Sequence, residues 1–296
     1  MGVQPTPVDW PCENSSAPAL PLGEFCDLVW ERGLENYRDL PWRRTHDPYE
    51  IWISEVMLQQ TQVTRVDGRW QRWLERFPTA EMLAKSSQAD VLQEWQGMGY
   101  NRRALALLRA AKEIVALADG FPSDLGELTR LPGIGPATAA GIRAFAFNLP
   151  GVYLETNVRT VFLHELFPHE EGVPDKRLVP LVEASCSQDD ARGWYYALLD
   201  YGAWLKRTVP NPSRRSRTHA RQSSFEGSHR QKRAEVVRIL LAAQGQGLST
   251  SEVARELSRA EQAAKREPVL EEATQKILQE LASEGFCAQS SGVWRV

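Results

Sequence analysis

The segment Trp52-Ile53-Ser54-Glu55-Val56-Met57-Leu58-Gln59-Gln60-Thr61-Gln62-Val63 sets one carboxylate in an apolar run and follows it with amides. A charged, unpaired carboxyl among Ile53, Val56 and Met57 is costly to bury. Burial would raise its pKa, which suits a group that must give up a proton near neutral pH. The same residues also read as a helix with a partly exposed glutamate. A second carboxylate, Glu155 in Leu154-Glu155-Thr156-Asn157-Val158, stands where a helix is expected to begin. There it would favour the positive end of the helix dipole. Between the two lies Leu131-Pro132-Gly133-Ile134-Gly135-Pro136-Ala137-Thr138-Ala139-Ala140, with the form of a helix, a tight hairpin and a second helix. Its glycines can take positive φ and admit a foreign backbone. The unpaired N–H groups at the next helix start make an anion site.

Helices must position these groups. Phe25, Leu28 and Val29 repeat at helical spacing, as do Val66, Trp70, Trp73 and Leu74, and Leu105, Leu108, Ala111 and Val115. Breakers fall at Pro78-Thr79, Gly97, Gly120-Phe121-Pro122, Pro132-Gly133, Pro150-Gly151 and Pro168. No sustained strand alternation occurs before about residue 280, so the fold class is all-α. Residues 1–20, rich in Pro and Ser, read as a mobile tail, and 21–205 as the main helical domain. Residues 206–233 carry Arg214, Arg215, Arg217, Arg221 and other cations broken by Pro, Ser and Gly, which predicts a basic, extended linker. Residues 234–296 predict three helices and a short hairpin, a winged-helix-like domain. Ser249 and Glu252 have the spacing of a capping box there. Glu271, Glu272 and Glu280 on its third helix suit partner docking better than groove reading.

Composition narrows the setting. The 296 residues carry a net charge of −3 and 42% apolar side chains, enough for a packed core. That charge argues against a generic DNA-coating protein. No apolar run is long enough for a membrane span, and no signal peptide is visible. Cys12, Cys26, Cys186 and Cys287 are too scattered for metal spacing. A monomer in a reducing cytoplasm is expected, nucleoid-associated if the source is bacterial.

Four blocks in order, S-E-V-M-L-Q-Q-T from Ser54, G-M-G-Y from Gly97, L-P-G-I-G from Leu131 and L-E-T-N-V from Leu154, resemble the helix-hairpin-helix DNA glycosylases. The resemblance covers about residues 30–205 and is strongest to the adenine glycosylase branch. It also includes Pro41-Trp42, Pro48-Tyr49, Arg76-Phe77-Pro78-Thr79 and Leu199-Asp200-Tyr201-Gly202-Ala203. It implies two helical lobes, double-stranded DNA as partner, and hydrolysis of an N-glycosidic bond in base excision repair. In that chemistry Glu55 would protonate the leaving base, while Glu155 and Asn157 would face the oxocarbenium-like sugar. Gln60 and Tyr100 match wedge positions, Arg102 and the hairpin residues Gly133, Gly135 and Thr138 would hold backbone phosphates, and Trp42, Arg43 and Tyr196 would line the base pocket. Arg214 and Arg215 are expected to add phosphate contacts.

Four departures stand beside the match. Glu155 replaces the family's aspartate, adding a methylene and about 1.5 Å of reach. Ala137 sits where endonuclease III has its Schiff-base lysine, so the backbone is expected to stay uncut. Tyr196 stands where a Glu or Gln helps read adenine. The family's iron–sulfur cysteines should begin near Leu205, yet none follows until Cys287, so no cluster and no other cofactor is expected. Adenine opposite oxidised guanine or guanine is the leading substrate. T or U opposite G, and a non-catalytic lesion binder, stay open.

Overall fold

The computed structural model describes residues 9–11, 18–218 and 224–296. Cys12, Arg221 and most of the expected tail lie outside the described residues. In chain order the elements are α1 (Leu22–Glu35), α2 (Pro48–Leu58), α3 (Val63–Val66), α4 (Arg69–Arg76), α5 (Ala80–Lys85), α6 (Gln88–Trp95), α7 (Arg102–Val115), α8 (Leu125–Arg130), α9 (Pro136–Phe147), α10 (Thr156–Glu165), α11 (Asp175–Ser185) and α12 (Ala191–Thr208). They are followed by α13 (His229–Ala242), α14 (Thr250–Ala263), α15 (Glu271–Ser283), β1 (Ala288–Ser290) and β2 (Val293–Arg295). The chain is therefore helical, with its described strands confined to a C-terminal hairpin paired Ala288 to Arg295 and Ser290 to Val293.

Two compact units form, each from two stretches of chain: Met1–Gln71 with Asp119–Arg221, and Arg72–Ala118 with Gln222–Val296. Sequence alone had set residues 234–296 apart; here they share a unit with the helices of 72–118.

The first unit is built on α10 and α1 packing against α12, and α2 against α9. Phe25, Val29, Ile51, Phe145, Phe162, Leu163, Trp194 and Leu198 fill its core. Small residues set how close the helices come. A Cβ on Gly33 would overlap Ala197 of α12, and one on Gly202 would overlap the Asn157 backbone of α10. Asp47 caps α2 by accepting from the N–H groups of Tyr49 and Glu50, and Pro48 occupies the first turn, where its missing N–H costs nothing. These devices fix where Glu55 and Asn157 emerge.

In the second unit α5 and α6 pack on α7, and Trp73 meets Phe77 and Trp95 edge-on at 4.9 and 5.6 Å. Its C-terminal part packs α13, α14 and α15 around Val236, Leu257, Leu278 and Phe286. The capping box predicted for Ser249 and Glu252 is present in both directions. The three helices and hairpin match the winged-helix-like expectation.

Candidate active site and DNA-contact residues

Glu55 lies in the last half of α2, most of whose other residues are buried. Its carboxyl sits deep among protein atoms yet keeps an opening to solvent. Burial pushes its pKa up to about 8, and the nearby Glu155 charge adds to the rise. The Tyr153 hydroxyl opposes it by donating to Oε2 at 3.1 Å, since a hydrogen bond favours the ionised form. A helix glycine makes room for this carboxyl: a Cβ on Gly141 of α9 would overlap Glu55 Oε2 and crowd the Tyr153 ring.

One short segment brings three groups to the site. Tyr153 is buried with its ring edge-on to Phe145 and Tyr195, each at 5.3 Å. Two residues on, Glu155 is the N-cap of α10, and its Oε1 accepts from the N–H groups of Asn157 at 2.5 Å and Val158 at 3.2 Å. The capping reading of Glu155 is thus correct as geometry, and it also anchors the carboxylate. Asn157 Oδ1 accepts from Lys206 Nζ at 2.8 Å. Burial lowers the pKa of Lys206, with Glu155 acting against the shift.

The residues expected to line the base pocket are tied into the protein. Arg43 is buried and clasps Asp200 with both nitrogens, at 2.6 and 2.8 Å, and Arg38 joins through Nε at 2.5 Å. Its guanidinium also lies 4.3 Å from the Tyr196 ring centre, and Tyr196 stacks on Phe145 at 4.5 Å. Trp42 is buried edge-on to Trp70 at 6.3 Å. Arg43, expected to line the base pocket, is turned inward here: together with Arg38 it compensates the buried Asp200 carboxylate.

The hairpin has the expected form. Gly133 takes φ 78°, and Gly135, at φ −86°, is the N-cap of α9 with Pro136 behind it. Gly135 and Ala137 are exposed at that helix start. Thr138 is corrected as a phosphate ligand: its side chain is turned inward, and Oγ1 accepts from Gln59 Nε2 at 2.9 Å. Gln60 (φ 51°) and Tyr100 (φ 48°) are exposed, each with a left-handed backbone rare for residues with a Cβ. Arg102 is held by Glu284 in a two-point ion pair at 2.7 Å.

The segment after α12 fits no iron–sulfur cluster. Leu205 is buried apolar core, Lys206 engages Asn157, and the cysteines among the described residues, Cys26, Cys186 and Cys287, lie on separate elements. Four thiolates on one loop are absent from the sequence there. A single turn of 3-10 helix, Pro212–Arg215, occupies the stretch instead. Arg215 donates to the carbonyls of Leu163 and Phe167, the former at 2.7 Å, and the backbone of Val173 pairs with Arg215 and Arg217 at 3.1 and 3.0 Å. Arg215 is therefore corrected as a phosphate contact. It satisfies the Leu163 carbonyl in the last turn of α10 and adds a second donor to the Phe167 carbonyl, which also accepts from the Glu170 N–H. Arg214 and Arg217 are exposed. Among the described residues of the expected extended crossing, Pro212–Arg215 form an anchored turn instead.

Sequence reading assigned no role to Tyr153, Gly141, Asp200 or Lys206. A glycine inside a helical run costs about 1 kcal/mol relative to alanine, so Gly141 carried a weak signal of close approach. The other three depend on partners far along the chain.

A family model, HhH-GPD superfamily base excision DNA repair protein, matches residues 53–180. The adenine DNA glycosylase of Mycolicibacterium smegmatis is 38% identical over 169 residues, which are 56% of this chain and 58% of that protein. That of Mycobacterium tuberculosis is 34% identical over 245 residues, 73% of this chain and 78% of that protein. A solved thermostable thymine-DNA glycosylase superposes with a TM-score of 0.54 at 23% identity, covering 62% of this chain and 86% of its own, a likeness of fold. No helix among the described residues is long and apolar enough to cross a membrane. The chain belongs to the helix-hairpin-helix base excision DNA repair superfamily, in its adenine DNA glycosylase branch.

Proposed function

We propose that this protein is a monofunctional DNA glycosylase that hydrolyses the N-glycosidic bond of a mispaired base flipped out of duplex DNA. The observation that carries this reading is Glu55: a half-buried carboxyl with a pKa near 8, held by Tyr153 beside Glu155. At neutral pH it keeps its proton and can give it to the leaving base. Glu155, fixed by the N-terminus of α10, supplies counter-charge to the oxocarbenium-like sugar. Water then adds to the sugar carbon, and its proton returns to Glu55. Adenine opposite oxidised guanine or guanine is the first substrate to test, on the strength of relatives named adenine DNA glycosylase. Ala137 offers no amine, which supports base release without strand cleavage.

The test is a panel of duplexes carrying different mispairs, each sampled before and after hot alkali. Cleavage that appears only after alkali supports the proposal. Strand breaks without alkali, or no release from any mispair, overturn it. Thymine or uracil opposite guanine is the second reading, favoured by Tyr196 in place of the family's Glu or Gln. Release of those bases with adenine untouched would establish it.

Tyr153→Phe keeps the packed ring and removes the hydroxyl. That hydroxyl donates to Oε2, so the transferable proton rests on the other oxygen, and the bond stabilises the carboxylate once the proton has left. A hydrogen bond to a charged group is worth about 1.5–3 kcal/mol. Turnover should fall about tenfold to a hundredfold, with duplex binding unchanged. The alkaline limb of the rate profile should also move to higher pH, because the bond that lowers the Glu55 pKa is gone. A limb that stays in place with full turnover would remove Tyr153 from the mechanism.

The protein is also proposed to function without an iron–sulfur cluster, since the cysteine set and the anchored turn at Pro212–Arg215 do not fit one. Purified protein should be colourless. Stoichiometric iron with visible sulfur-to-iron absorbance would contradict this.

A further inference from the structure

We propose that the C-terminal winged-helix-like domain is an exchangeable clamp on the Tyr100 loop, which duplex DNA displaces when it binds. The inference rests on the DNA reading above and concerns the second unit alone.

The loop is under local strain. Three of the four residues Gly97–Tyr100, namely Gly97, Gly99 and Tyr100, take φ of 82°, 71° and 48°. A non-glycine residue in that region persists only where its surroundings dictate it. Part of the support is internal. Trp95 Nε1 donates to the Gly99 carbonyl at 3.0 Å, and Arg103 donates to the carbonyls of Met98 and Gly99, each at 3.1 Å. Further support comes from the C-terminal domain. Arg230 of α13 donates to the Tyr100 hydroxyl at 2.8 Å. Glu284, capping α15, takes both nitrogens of Arg102.

These outer contacts differ in kind from those beneath them. Gln88 of α6 donates to the Phe286 carbonyl at 3.0 Å, and α13 packs on α6, which keeps the domain attached. The outer pairs lie at the surface, and the Arg102 side chain is 74% exposed. A backbone phosphate offers Arg102 the same two-oxygen, negatively charged fork as Glu284. Exchange leaves no charge stranded. Glu284 keeps Arg233 at 2.6 Å, and Arg233 keeps Glu280 at 2.9 Å. Tyr100 could not enter a base stack with Arg230 on its tip. DNA must therefore compete with α13 and α15 for the loop.

The test uses the full chain and a duplex bearing a tetrahydrofuran abasic-site analogue, which has no glycosidic bond and so is independent of the base released. Glu284→Gln removes the competing charge at nearly constant shape. An exposed ion pair of this kind should shift affinity by about two- to fivefold, and binding should tighten. In an Arg102→Ala background the same substitution should have no effect, because the competition has lost its object. Thermal melting checks that both variants fold. Unchanged or weaker binding by Glu284→Gln overturns the clamp. So does an equal gain in the Arg102→Ala background, which would reflect only a lost negative charge near DNA. Failure of the unaltered chain to bind the duplex at all would instead sink the glycosylase reading.

Discussion

Glu55→Gln is expected to lower base release by at least about two orders of magnitude while duplex binding survives. The substitution keeps the shape of the side chain and removes the transferable proton. Two pH signatures accompany it. In the unaltered protein release should fall as pH rises through about 8, because Glu55 then enters the reaction already ionised. The second concerns stability. The folded pKa is raised above the ordinary carboxyl value of 4.5. Folding is therefore disfavoured progressively between about pH 4.5 and 8, as the unfolded chain ionises first, and the penalty is constant above that. Glutamine carries no such penalty. Above pH 8 the variant should be more stable by a few kcal/mol, with Tm higher by roughly 5 °C or more. An inactive but stabilised protein is the signature of a carboxyl held for chemistry at a cost to the fold. Full turnover in Glu55→Gln, or a Tm equal to the parent at pH 9, would show that another group donates the proton.

What could be read in advance follows from how far apart the partners lie in sequence. The helices around Phe25, Trp73 and Leu105, the hairpin at Gly133 and the Ser249 capping box depend on residues within a few turns of one another, and each is where local pattern puts it. Arg43 and Asp200 are 157 residues apart, and Tyr153 and Glu55 are 98 apart. No periodicity links such pairs. Thr138 and Arg215 show the converse error. Each has the right chemistry for phosphate in the right stretch, yet Thr138 bonds Gln59 and Arg215 bonds the end of α10. A polar side chain near a backbone or amide group that lacks a partner is drawn to it, as acceptor for Thr138 and donor for Arg215, and sequence does not reveal which such group is near. The second unit was illegible for the same reason: its helices come from stretches separated by the whole of the first unit's second half.

Glu155 poses the sharper question, because its two roles predict different outcomes. As a cap, its Oε1 holds the N–H groups of Asn157 and Val158. As the proposed counter-charge, the same carboxylate would face the reacting sugar. Glu155→Asp retains both functions: aspartate is a preferred N-cap and is the residue of the wider family at this block. Activity should be kept or raised. Glu155→Asn separates the roles, since asparagine caps as well as aspartate but carries no charge. It should hold stability near the parent and lose base release by about a hundredfold or more, the scale of removing one preorganised electrostatic group. Glu155→Ala should lose both activity and about 1 kcal/mol of stability. The raised pKa of Glu55 gives an independent check. The Glu155 charge contributes to that rise, so the alkaline limb of any residual Glu155→Asn activity should move to lower pH. If Glu155→Asn releases base at the parent rate, position 155 serves the fold alone, and the counter-charge must come from elsewhere in the site.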